Sequence, residues 1–131
     1  MILVVDPDLA DLERMCRVIR HQAHRAFPAS SFLAGYNTFL LHSGEVDLLV
    51  TAMALPGNNG CELAKRLLEK IPDLKVLFVS HPSGAEICRY YGLLGDRMYF
   101  LEKPFEDEEF RRMVRLILEQ ASGSVAAGHQ G

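Results

Sequence analysis

Two acids, a hydroxyl and a lysine stand at the ends of short apolar runs in this chain. Asp6 closes the run Ile2–Val5, and Asp8 follows it. Ser80 closes Val76–Val79, with His81 next, and Glu102-Lys103-Pro104 closes Met98–Leu101. Carboxylates suit a hard divalent cation such as Mg2+. A lysine and a hydroxyl suit phosphoryl oxygens. Together they make a phosphate-and-cation rim, yet no nucleophile stands at its centre. The remaining run, Leu48–Val50, ends at Thr51-Ala52 and enters the loop LPGNNG. Ala52 brings only a methyl group to the place where a reactive side chain is expected.

The elements that must position these residues are legible from hydropathy. The four runs are continuously apolar rather than alternating, as in strands buried on both faces. A weaker run, Ser31–Ala34, reads as a fifth strand at an edge. Amphipathic segments lie between. Asp6 is expected to cap the first helix, with Pro7 at its first position, where the missing N–H does no harm. Leu12, Met15, Cys16, Ile19 and Ala23 then share one face. Asn37–His42 reads as a clipped helix. Leu63, Ala64, Leu67, Leu68 and Ile71 line another helix, which Pro72 ends. Pro82–Leu94 reads as a weaker helix, interrupted by Gly84. The last helix follows Pro104, with Phe110, Met113, Val114, Ile117, Leu118 and Ala121 on its apolar stripe and an acidic first turn.

Strand and helix thus alternate five times. The pattern predicts an α/β fold of flavodoxin-like (βα)5 type: a doubly wound, five-stranded parallel sheet with helices on both faces. In such a sheet ligands bind beyond the carboxyl ends of the strands, where the rim residues fall. Residues 1–121 are expected to form one domain. Residues 122–131, small, polar and rich in glycine, read as a flexible tail or linker stub.

Composition narrows the function. The 131 residues are 49% apolar, which suits a single packed domain rather than a disordered chain. The net charge is −3 and no basic run exceeds Arg111-Arg112, so nucleic acid is not an expected partner. Cys16, Cys61 and Cys88 stand far apart, without the spacing of a metal or dithiol site. No apolar run is long enough to span a membrane, and MILVV lacks the basic start of a signal peptide. A cytoplasmic location is the expectation.

The stretches ILVVD, VDLLVTAMALPGNNGCELAKRL, KVLFVS and YFLEKPF together resemble the receiver domain of bacterial response regulators, the chemotaxis-type module of two-component phosphorelays. The resemblance covers roughly Met1 to Gln120. It implies an aspartate phosphoacceptor after the third strand, a Mg2+ site built on acids after the first, a Ser/Thr and a lysine that contact the phosphoryl group, and an aromatic switch. On this chain Ser80 and Lys103 match the phosphate contacts, Pro104 the proline after the lysine, and Phe100 the switch. Pro56 and Gly60 match the acceptor loop. Ala52 falls on the acceptor itself. The family's adjacent acids become Asp6-Pro7-Asp8 here, so the implied Mg2+ site is weak at best, with Asp6 and Asp8 as its ligands.

Plainer roles stand beside these. Ser80 can cap a helix, Lys103 can pair with Asp6 or Asp8, and Phe100 can be ordinary core. His21 and His24 lack a third ligand. Tyr90 and Tyr91 are adjacent on a helix, so one of them is expected on the surface. With Leu116, which lies off the last helix's apolar stripe, they form a candidate partner surface.

The resulting expectation is a receiver-like, non-enzymatic module that cannot accept phosphate and acts by protein contacts. Its partners would be a histidine kinase, a downstream output protein, or a second copy held through the fourth and fifth helices. The family's usual output face corresponds to Ser83–Leu94, Met98–Leu101 and Glu106–Gln120. An ordinary phosphoacceptor receiver with Ala52 engineered in is the alternative. A small nucleotide-binding or enzymatic flavodoxin-like protein has less support, for want of GxGxxG and GxxxxGK[ST] motifs.

Overall fold

The computed structural model describes residues 1–81, 86 and 97–130. The expected helix Pro82–Leu94, with Cys88, Tyr90 and Tyr91, lies outside the described residues apart from Glu86.

Five strands form one sheet: β1 (Ile2–Val5), β2 (Ala26–Ala29), β3 (Leu48–Thr51), β4 (Lys75–Ser80) and β5 (Met98–Glu102). Every pairing is parallel, in the order β2-β1-β3-β4-β5. The helices described in full are α1 (Leu9–His21), α2 (Phe32–Leu41), α3 (Gly60–Lys70) and a C-terminal helix, Asp107–Gln130. A short antiparallel ladder, Ala54–Leu55 with Asn58–Asn59, shapes the loop after β3. The expected flavodoxin-like sheet is therefore present. Residues 122–130, expected as a flexible tail, continue the C-terminal helix.

The sheet is buried on both faces because alternate residues of each strand point to opposite sides. Leu3 and Val5 of β1 pack with Phe39 of α2 and with Leu63 and Leu67 of α3. Ile2 and Val4 pack on the other side with Met15 and Ile19 of α1 and with Phe110, Val114 and Ile117 of the C-terminal helix. All of these side chains are almost fully shielded from water. Each contributes roughly 1.5–3 kcal/mol of transfer free energy.

Four local expectations need correction. The edge strand is Ala26–Ala29, not Ser31–Ala34. Ser31 instead caps α2, its Oγ accepting from the Ala34 N–H at 3.1 Å, and Phe32, Gly35 and Phe39 turn inward at helical spacing. The clipped helix Asn37–His42 is thus the second half of a longer one. Asp8, not Asp6, caps α1: its Oδ1 accepts from Asp11 N–H at 3.0 Å. Asp6 stays at the strand end, its N–H bonded to the Ala29 carbonyl, and Pro7 lies outside the helix. Ala23 leaves the apolar face of α1, because the chain beyond the C-cap Gln22 turns through φ 68° there and exposes it.

Candidate functional site: a strand-end rim closed by an ion triad

The register of the sheet brings the rim residues together. Val5 pairs with Thr51, and Ala52 N–H donates to the Val5 carbonyl at 2.8 Å, so Asp6 and Ala52 leave adjacent strands side by side. Ser80 pairs with Glu102, and Lys103 N–H donates to the Ser80 carbonyl at 2.8 Å. Asp6, Ala52, Ser80 and Lys103 therefore all stand at the carboxyl edge of the sheet.

Asp6 is 1% exposed. A carboxylate so placed needs partners, and both its oxygens have one. Oδ1 accepts from Asp8 N–H at 2.9 Å, and Oδ2 accepts from Lys103 Nζ at 2.9 Å. Lys103 also lies 3.0 Å from Asp11 Oδ2. Burial pulls the Lys103 pKa down, but the hydrogen bonds and charges of Asp6 and Asp11 outweigh that and hold it above the ordinary lysine value. The ion network continues outward. Asp11 Oδ1 is 3.5 Å from Arg14, whose guanidinium lies over the Phe105 ring, donates to the Phe105 carbonyl and reaches Asp107.

Of the two acids expected at the rim, Asp6 faces Lys103, while Asp8 is exposed and uses Oδ1 to cap α1. Asp11 takes the place beside the lysine, and reading the sequence missed it. The available signal was the spacing Asp8-x-x-Asp11, which resembles an N-cap and the third helical position of a capping box.

Ala52 is 6% exposed and belongs to the hydrophobic cluster under α2 and α3. Its carbonyl accepts from Thr51 Oγ1 at 2.9 Å. The loop beyond it is tightly built. Asn59 caps α3 by accepting from Glu62 N–H at 2.8 Å, and Gly60 N–H donates to the Met53 carbonyl at 2.7 Å. A Cβ on Gly60 would stand 2.1 Å from the Ala52 carbonyl oxygen, so only glycine fits.

Ser80 is half-buried, and its hydroxyl donates to the His81 carbonyl at 2.9 Å. The peptide between Lys103 and Pro104 is cis. Phe100 stacks on Phe78 with ring centroids 5.3 Å apart and lies against the α2–α3 side of the core. Leu116 is 49% exposed on the C-terminal helix.

As a Mg2+ site this arrangement fits poorly. Both oxygens of Asp6 are occupied, and a cation there would have to displace Lys103. Among the described residues no group of three or more His, Cys, Asp or Glu is placed to hold a metal ion. Among them, too, no helix is long and apolar enough to cross a membrane.

Residues 2–115 match the response regulator receiver domain. The chain belongs to that family. A putative two-component response regulator of Arabidopsis thaliana is 26% identical over 89% of this chain and 19% of its own length. The transcriptional regulatory protein TctD of Salmonella typhimurium is 36% identical over 66% of this chain and 38% of its own length. The chain thus spans less than half of these relatives. Among solved structures, the non-phosphorylated HemR receiver domain of Leptospira biflexa has a TM-score of 0.77 at 29% identity, covering 89% of this chain and 92% of that one. A receiver domain protein of Clostridium thermocellum reaches a TM-score of 0.81 at 17% identity, with coverage of 92% and 95%, and shares the fold. This receiver domain therefore belongs to two-component signalling by family.

Proposed function

We propose that this receiver domain does not accept phosphate and acts through protein–protein contacts. The observation that carries the reading is the methyl group of Ala52 at the strand end beside Asp6. Phosphoryl transfer to a receiver needs a carboxylate oxygen to attack phosphorus as the donor's leaving group departs, the imidazole nitrogen of a phosphohistidine or the acetate of acetyl phosphate. Ala52 offers none. The neighbouring carboxylates are already engaged, Asp6 by Lys103 and Asp8 N–H, Asp8 by the helix cap.

On this reading Ser80 and Lys103 are relics of phosphate contacts, and Phe100 is the former switch aromatic. Mg2+ binding through Asp6 and Asp8 is weak. Residues 1–121 are the signalling unit and 122–131 a tail or linker stub. The protein is cytoplasmic and non-enzymatic. Its partner is a histidine kinase, an output protein or a second copy, met through the surface of Leu116, Tyr90 and Tyr91. The exposure of Leu116 supports that surface, and Leu116→Glu should weaken self-association or partner capture; unchanged behaviour would exclude it.

A second reading is an ordinary phosphoacceptor receiver with alanine substituted for the aspartate. It is favoured by the retention of Ser80, Lys103, Pro104 and Phe100 in their positions, and opposed by Pro7, a second departure at the same site. Intact mass after incubation with acetyl phosphate and Mg2+ tests both. The native chain should gain no phosphoryl group, and an acid-labile adduct on Asp6 or Asp8 would end the first reading. Efficient modification of Ala52→Asp would favour the second.

A further inference from the structure

Asp6 and Asp11 are neutralised from within the protein. Lys103 Nζ bridges Asp6 Oδ2 at 2.9 Å and Asp11 Oδ2 at 3.0 Å. The lysine side chain is 14% exposed and that of Asp11 23%. An ammonium has three donors and no acceptor, and here two of its directions are committed to carboxylates from different elements. Asp6 comes from the end of β1, and Asp11 from the first turn of α1. Arg14 backs Asp11 from the outer side at 3.5 Å.

We propose that Asp11 is a positioning residue that replaces the carboxylate missing at position 52 as the second anion of Lys103, so that the ammonium is pinned on Asp6 and the rim forms an ionic lock closed to divalent cations. The proposal rests on the reading of position 52 as a vacated acceptor. Three observations support it. Ala52 brings no polar side-chain atom to the lysine. A largely buried ammonium favours its neutral form unless anions compensate its lost hydration, and one buried carboxylate is shared between Lys103 and the Asp8 N–H. Asp11 stands at hydrogen-bonding distance with its second oxygen already directed to Arg14. A cation approaching Asp6 must then break a contact that Asp11 holds in place.

The test is Asp11→Asn, which keeps the volume and removes the charge. Titration of Lys103, followed by the NMR shift of its Cε, should show a midpoint lower in the variant than in the native protein. An unchanged midpoint overturns the lock. The second measurement is Mg2+ affinity by calorimetry in the Ala52→Asp background. Removing a nearby negative charge should by simple electrostatics weaken Mg2+ binding. The lock predicts the opposite, a tightening of about fivefold when Asp11→Asn is added, the scale of one partly exposed ion pair. Equal or weaker affinity overturns the proposal while a Mg2+ response of Ala52→Asp alone leaves the vacated-acceptor reading standing. Silence of both variants toward Mg2+ refutes that reading, and the Lys103 midpoint then decides the lock by itself.

Discussion

Replacing Lys103 with methionine should destabilise this domain more than a surface lysine would. Methionine keeps most of the aliphatic stem, so the loss reports the charge rather than packing. Asp6, 1% exposed, would retain the Asp8 N–H as its hydrogen-bond donor and lose its counter-ion. Removing one partner of a buried ion pair destabilises by about 3–5 kcal/mol. Lys103 remains 14% exposed, so some water reaches the pair and a lower figure of about 2–3 kcal/mol is expected. For a domain of this size that is a fall in melting temperature of roughly 6–12 °C. Adding Asp6→Asn to Lys103→Met should recover most of it, because the stranded charge is then gone; the double-mutant cycle isolates the coupling. The pH dependence has a defined sign. The folded pKa of Lys103 is raised, so its contribution is complete below the unfolded value near 10.5 and is lost as pH rises through the folded one. The gap between native and variant should hold from neutral pH to about 10 and close above that. Thermal melts across this range are the assay. A Lys103→Met protein melting within about 2 °C of native at pH 7, a shift well under 1 kcal/mol, refutes the argument.

Two other outcomes follow from the geometry. Gly60→Ala forces its Cβ against the Ala52 carbonyl, so urea unfolding should show a loss of about 3 kcal/mol or more, at or above the upper end for overpacking; a loss under about 1 kcal/mol would mean that the loop moves freely. Burial raises the pKa of the Cys16 thiol against the opposing pull of Arg20, so peptide mapping after alkylation near pH 8 should find Cys16 unlabelled until the protein unfolds.

The strands that carry the site were legible because hydropathy and position agree. Ile2–Val5 and Leu48–Val50 are buried on both faces, and a continuous apolar run has few other uses. β4 extends one residue beyond its apolar run at each end. Lys75 and Ser80 join the sheet through their backbones, pairing with Leu48 and Glu102, which hydropathy cannot register. The cap of α1 was misread for a tertiary reason. Pro7 pointed by local rule to Asp6, but Asp6 is claimed by a lysine 97 residues away, and the helix starts later, at Asp8. Asp11 became visible only after that shift, since its place in the first turn depends on which aspartate caps. Position 52 drew attention through its surroundings, the apolar run before it and the spacing to Pro56 and Gly60, and it follows β3 beside Asp6.

β2 was the hardest strand to see, and its obscurity has a use at the sheet's open side. Ile2 N–H bonds to the Arg25 carbonyl and Asp6 N–H to that of Ala29, so the odd-numbered residues of β2 address β1. Ala26 and Pro28 consequently turn their backbones to the outside. Proline has no N–H, so the outer margin of this four-residue strand carries one donor, that of Ala26, which is itself buried and whose carbonyl already accepts from Arg20 at 2.8 Å. A short margin with a missing donor is a poor template for edge-to-edge aggregation. The proline that hides the strand from a hydropathy reading also keeps stray polypeptide from extending the sheet.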